Sequence, residues 1–89
     1  MCPGFIRPYE LVGNSYRNKG QKDKALEYFH TAAELGSRNY KMYYLMAALL
    51  YEKGDLNEAH RQVTRSLRFR KDYPKSLELK AKLEKRLDQ

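Results

Sequence analysis

The most informative segment of the chain is Tyr40–Lys53, with the sequence YKMYYLMAALLYEK, whose middle, from Tyr43 to Tyr51, is entirely apolar or aromatic. A surface helix needs one apolar stripe, whereas a helix that is apolar all round has to be covered on several sides. The run is too short to span a bilayer, which takes about 20 residues. It lacks the alternation of a half-buried strand, and Gly54 ends it as a C-cap glycine would. The segment therefore predicts the central helix of a small helical stack.

The size and composition of the chain indicate one helical domain. A chain of 89 residues is near the lower end of what holds a hydrophobic core without help. Its apolar content of 42%, charged content of 33% and lack of Trp are typical of helices with solvated outer faces.

Cys2 is the single cysteine of the chain, so no internal disulfide can form, and this fits a reducing compartment. The apolar run at the N-terminus is too short for a signal peptide. We therefore expect a cytoplasmic protein without a transmembrane segment. The alternative is an envelope-associated protein in which Cys2 is a trimmed lipidation site.

The net charge of +7 is concentrated in the C-terminal third. Ten basic and four acidic side chains from Arg61 onward leave a charge of +6 there. An anionic partner would be attracted most strongly to this part of the chain.

Turn and cap residues divide the chain into five helical segments. Gly20, Gly36 and Gly54 follow the first three, where a chain reversal favours glycine. Asn57 is predicted to cap the fourth helix, and Pro74 is predicted to open the fifth, because proline is tolerated in a first turn.

The sequence repeats itself when it is shifted by 34 residues. Small residues then align with small ones, large residues with large ones, and glycine with glycine. The aligned pairs include Tyr9 with Tyr43, Gly13 with Ala47, Gly20 with Gly54, Ala25 with Ala59, Phe29 with Val63 and Ala32 with Ser66. A second shift places Leu77 on Tyr43 and Ala81 on Ala47.

These residues resemble the tetratricopeptide repeat (TPR) family, whose unit is about 34 residues that form two antiparallel helices. The resemblance implies an all-α fold, a right-handed αα-superhelix of five short antiparallel helices in a single domain over residues 1–89. Repeat one would cover about 6–39, repeat two about 40–73, and a capping helix about 74–88. In that helix, Leu77, Ala81 and Leu83 are expected to cover the end of repeat two, with Lys80 and Glu84 in water.

No pattern of catalytic or metal-binding residues is found in the sequence. His30 and His60 are the only histidines, and together with Cys2 they do not have the spacing of a metal site. There is no glycine-rich phosphate loop and no nucleophile motif. We therefore predict a non-catalytic protein that uses no cofactor and no metal.

The resemblance also implies a binding site, because the first helix of each TPR repeat lines a concave groove that holds extended or helical peptides. The candidate contacts at the corresponding positions are Arg7, Asn14, Arg17, Lys41, Tyr44, Ala48, Tyr51, Lys75, Lys82 and Lys85. Glu10 and Glu78 also occupy groove positions and partly offset the positive charge. Tyr44, Ala48 and Tyr51 follow i, i+4, i+7 spacing and so share one stripe. The predicted partner is another protein, with a segment that carries apolar and acidic residues. The alternative is that the two tyrosines pack against neighbouring side chains.

A second candidate surface consists of Arg61, Arg65 and Arg68, which share one edge of the fourth helix. Such an edge could bind nucleic acid or an anionic surface. Single-strand binding, however, needs aromatic residues between the cations, and their absence argues against a nucleic-acid partner. A structural role through self-association, giving a homo-oligomer, is a further alternative.

Overall fold

The computed structural model describes residues 5–88, which form five α-helices and no strand. The helices are α1 (Ile6–Asn18), α2 (Lys22–Glu34), α3 (Tyr40–Lys53), α4 (Leu56–Phe69) and α5 (Pro74–Leu87). The prediction of an all-α fold with five short helices is therefore confirmed. No helix in this part of the chain is both long and apolar enough to cross a membrane. Cys2, the candidate lipidation site, lies outside the described residues.

The ends of α3 and α4 show how local residues set the helix boundaries. The Asn39 side chain accepts hydrogen bonds from the backbone N–H groups of Lys41 and Met42 and so caps α3. Gly54 ends α3 with a φ of 87°, in the left-handed region that glycine adopts without strain. The prediction that Asn57 caps α4 is wrong. The carbonyl of Asp55 already accepts the hydrogen bond from Ala59 N–H, so the helix begins before Asn57.

The described chain forms two compact units that divide between Arg38 and Asn39. In the first unit, α1 packs against α2, and the close approach depends on Gly13. A Cβ atom at this position would lie 2.7 Å from two carbons of the Phe29 ring, inside van der Waals contact. Gly13 is the one buried residue of α1, whereas α2 buries Ala25, Leu26, Phe29, Ala32 and Ala33.

In the second unit, α3 packs against α4, and α5 packs against both. Six residues of α3 are buried, as its apolar sequence predicts: Met42, Tyr43, Met46, Ala47, Leu49 and Leu50. Tyr43 is 1% exposed because α4 covers its ring. Phe69 stacks on the ring with 5.6 Å between centroids, and the Arg65 guanidinium lies 4.7 Å from its centre.

The register predicted for α5 is wrong at two of three positions. Leu83 is buried, but Leu77 is 48% exposed and Ala81 is exposed too. Lys80 is half-buried, whereas Glu84 is exposed. The buried side of α5 is formed instead by Ser76, Leu79 and Leu83.

The reason lies in the neighbours of each helix. Tyr43, which the repeat aligns with Leu77, is covered by α4, the second helix of its own pair. Within residues 5–88, no further helix follows α5 to cover Leu77 in the same way.

Candidate binding groove

A groove between α3 and α5, with a volume of about 270 Å³, is lined by Tyr44, Lys75, Glu78, Leu79 and Lys82. We call it the α3–α5 groove. The structure thus brings together three of the side chains proposed from the sequence, namely Tyr44, Lys75 and Lys82. Leu79 was missed because the expected register of α5 turned Leu77 inward instead.

The apolar part of the groove is formed by Tyr44 and Leu79. Leu79 is 8% exposed and Tyr44 is half-buried, so Tyr44 exposes the larger part of this carbon surface. The Tyr44 ring meets the edge of the Tyr73 ring with 5.8 Å between centroids. The alternative in which Tyr44 packs against a neighbour therefore applies in part, but the same side chain still lines the groove.

A tyrosine cluster borders this apolar part. Tyr73 contacts Tyr40 as well as Tyr44, with 4.9 Å between the centroids of Tyr73 and Tyr40. Arg70 donates a hydrogen bond from Nη1 to the Tyr40 hydroxyl at 2.7 Å. This bond and the electrostatic interaction with Tyr40, followed by smaller effects of Asp72, raise the pKa of Arg70. Tyr73 was not among the predicted groove residues, although it precedes Pro74 and so occupies the N-cap position of α5, which could have drawn attention to it.

The two lysines of the groove differ in whether a carboxylate lies close to the amino group. Lys82 Nζ lies 3.8 Å from Glu78 Oε1, an exposed i, i+4 pair. Lys75 is exposed and has no ion-pair partner among residues 5–88. The charge available to a ligand is therefore centred on Lys75, at the N-terminal end of α5.

Two buried serines hold the walls of the groove together. Ser66 of α4 donates a hydrogen bond to the Tyr40 carbonyl at 2.8 Å, and its Oγ lies 2.6 Å from Ser76 Oγ. Because a hydroxyl has one proton, Ser76 must be the donor to Ser66. The chain Ser76 to Ser66 to Tyr40 ties the first turns of α5 and α3 to the same point of α4.

Four other candidates of the second unit do not line the groove: Lys41, Ala48, Tyr51 and Lys85. Lys41 and Lys85 are exposed, while Ala48 and Tyr51 are half-buried. The Arg86 guanidinium lies 5.6 Å from the centre of the Tyr51 ring and donates to its hydroxyl at 3.4 Å. Tyr51 therefore packs under Arg86, a neighbour that no local sequence signal indicated.

The candidates of the first unit engage nearby side chains. Arg17 donates to Asn14 Oδ1 from Nε at 3.1 Å and from Nη2 at 2.9 Å. Arg7 lies 3.9 Å from Glu10, and both line a separate pocket of about 410 Å³. The Ser37 hydroxyl donates a hydrogen bond to Glu10, which fixes the segment after α2 to α1.

The alternative surface, Arg61, Arg65 and Arg68, also comes together in the structure. These arginines line an open surface pocket of about 960 Å³ together with Asn57, His60 and Thr64. Among the described residues, no group of three or more His, Cys, Asp or Glu side chains could hold a metal ion.

Comparison with known proteins agrees with this architecture. The family model described as Tetratricopeptide repeat matches residues 18–83, which is more than half of the chain. A search of curated proteins returned no match.

Proposed function

The chain belongs to the tetratricopeptide repeat family, and from this premise we propose that it binds a segment of a partner protein in the α3–α5 groove. The family generally provides non-catalytic interaction modules. The observation that carries the proposal is the meeting of Tyr44 and Leu79 with Lys75 in one groove. Apolar surface and a cation without an ion-pair partner are what a segment with apolar and acidic residues requires.

The size of the groove suits one side chain of a partner. The α3–α5 groove has a volume of about 270 Å³. Such a volume accommodates an apolar side chain that projects from an extended or helical segment. An acidic residue of the same segment would lie beside Lys75.

The contact with Tyr44 is expected to contribute more binding free energy than the contact with Lys75. Desolvated aromatic contacts account for most of the affinity at protein interfaces. Exposed ion pairs contribute about 0–1 kcal/mol and mainly affect association rate and partner choice. The partner would therefore be anchored at Tyr44 and selected by Lys75.

The other candidates extend this proposal along the chain. In the second unit, the partner segment would continue from Lys41 over Ala48 to Tyr51, and Lys82 and Lys85 would add positive charge. In the first unit, Arg7, Asn14 and Arg17 are the proposed contacts. We propose the same repeat limits as before, at about 6–39 and 40–73, with a capping helix at about 74–88.

The test uses peptides of random sequence, because it requires no knowledge of the partner. Twelve-residue peptides are selected on the immobilised protein, and the affinity of the best binder is measured by fluorescence anisotropy. Enrichment of apolar residues next to acidic ones is expected. Tyr44→Ala should weaken binding at least tenfold, whereas Tyr9→Ala, which removes an exposed tyrosine of α1, should leave it unchanged.

Lys75→Gln separates the charge from the anchor. It should weaken binding less than Tyr44→Ala and mainly reduce the dependence of affinity on salt between about 50 and 200 mM. If lysine substitutions abolish binding and Tyr44→Ala has no effect, the groove proposal is wrong and a phosphate-driven partner takes its place.

A further inference from the structure

The outer face of α4 carries a compact group of arginines that the groove does not use. It lies opposite the buried side of the helix, where Ala59, Val63 and Ser66 are fully covered. Arg61 and Arg68 are seven residues apart, which is about two turns or 10.5 Å along the axis. We call Arg61, Arg65 and Arg68 the arginine face.

Acidic side chains neutralise only part of this face. Glu58 accepts from Arg61 at 3.0 Å and also from Gln62 at 2.7 Å. In the described part of the chain, Arg65 has no carboxylate within hydrogen-bond distance, since its contacts are with Gln62 and Tyr43. Arg68 has no hydrogen-bond or ion-pair partner in residues 5–88. Two of the three guanidinium groups are thus available to an anion.

The position of Arg65 is fixed before any ligand binds. Its guanidinium lies 4.7 Å from the centre of the Tyr43 ring, and that ring is itself buried and stacked on Phe69. A side chain already held in place loses less conformational entropy when it binds a ligand. Arg65 is therefore suited to be the central contact of the face.

The choice of arginine distinguishes this face from the neighbouring helix. Apart from His60, α4 carries three basic side chains, and all three are arginines. Of the five basic side chains of α5, four are lysines. Lysine is sufficient for an exposed solvated face. Arginine offers a planar fork of donors that binds both oxygens of a carboxylate or phosphate.

The composition of the pocket favours a carboxylate-bearing protein segment over nucleic acid or a lipid surface. Its six lining residues include no tyrosine, phenylalanine or tryptophan on which bases could stack. His60, the only ring, is held by Glu84 at 3.2 Å. The pocket also has no large apolar side chain that could enter a membrane. We propose that the arginine face is a second interaction surface, which binds an acidic segment of a protein through its guanidinium groups.

A fluorescein-labelled peptide of ten glutamates tests this inference, because it has no apolar side chain to anchor in the α3–α5 groove. Its binding to the full chain is followed by anisotropy at about 50 mM salt, where exposed charges are weakly screened. Arg61→Gln/Arg65→Gln/Arg68→Gln should weaken binding at least tenfold. The matched control, Lys19→Gln/Lys24→Gln/Lys71→Gln, removes three exposed lysines that lie outside both proposed binding surfaces. It changes the net charge equally and should keep the affinity within about twofold, because the position of the arginines and not the net charge is expected to decide binding.

Two further variants separate the face from folding and from the groove. Arg61→Gln/Arg68→Gln leaves the Arg65–Tyr43 contact in place, so the fold should be intact while binding still falls. Tyr44→Ala should bind the glutamate peptide like the wild type. A failure of the groove proposal would therefore leave this test unaffected.

Several outcomes would overturn the proposal. Equal weakening by the arginine and lysine triple variants would show that only net charge matters. Absence of binding by the wild type would exclude the site. Tighter binding to a ten-nucleotide oligouridine, or to vesicles containing phosphatidylserine, would assign the face to a different partner. Full affinity in Arg61→Lys/Arg65→Lys/Arg68→Lys would show that the guanidinium forks do not make the site.

Discussion

The helix pairs α1–α2 and α3–α4 follow the same sequence repeat but fill their crossings differently. In the first pair, Gly13 leaves room for the large Phe29 ring, which would collide with a Cβ atom at that position. In the second pair, the aligned residues are Ala47 and Val63, and both are fully buried. From the first pair to the second, glycine is replaced by alanine, which adds a methyl group, and phenylalanine is replaced by valine, which removes a ring. The repeat thus maintains a filled volume rather than fixed residues, as close packing requires.

The two pairs also differ in how much of the first helix is buried. In α1, Tyr9 is 37% exposed, and Leu11 and Val12 are exposed as well. Helix α3 buries six side chains because α4 and α5 both cover it within the second unit. Equivalent repeat positions therefore acquire different burial when the number of neighbouring helices differs.

The largest difference is expected at the aligned tyrosines. Tyr43→Ala removes a fully buried ring between Phe69 and Arg65 and should cost about 3–5 kcal/mol of unfolding free energy. Tyr9→Ala removes a ring that makes a tilted contact with Tyr28 at 6.2 Å, and it should cost about 1 kcal/mol. Urea denaturation of both variants measures the two values. Equal losses would contradict the difference in burial between the units.

A medium effect is expected from exchanging the crossing residues. Gly13→Ala overpacks Phe29 and should lower the unfolding free energy by about 1–3 kcal/mol. The better helix propensity of alanine offsets about 1 kcal/mol of this loss. Adding Phe29→Val recreates the combination of the second pair. The double variant should then lose less unfolding free energy than the two single variants together, by more than about 0.5 kcal/mol. Strict additivity in a double-mutant cycle would show that the two residues do not share one space.

The smallest effect concerns Ser66, which stands where the first pair has Ala32. Ser66→Ala removes the acceptor of the Ser76 hydroxyl and should cost about 1 kcal/mol, near the lower end for a lost buried partner. The cost is moderate because Ser76 can turn to a carbonyl of its own helix. Thermal unfolding followed by circular dichroism measures the change. The control, Ser76→Ala, should cost less, since Ser66 keeps its bond to the Tyr40 carbonyl; the reverse order would contradict the assigned direction of the hydrogen bonds.

The candidate groove was predictable in part. The 34-residue register led to Tyr44, Lys75 and Lys82, because side chains one repeat apart project from equivalent helices. It failed for Leu79, since it assumed that α5 is covered as α3 is. The register also did not predict Tyr73, which contacts Tyr44, or Arg86, which contacts Tyr51. Their contacts join residues far apart in the chain, and such pairs leave no periodic signal.

The sequence by itself determined the helices and their pairing. Helical periodicity, glycines at the reversals and the alternation of small and large residues are local properties, and Tyr40–Lys53 alone predicted a helix covered on several sides. Only the tertiary structure decided which side of α5 is buried, which of the two groove lysines lacks an ion-pair partner among residues 5–88, and that Ser66 joins three helices. These features depend on which neighbours surround each side chain, and burial and hydrogen bonding are set by neighbours in space rather than along the chain.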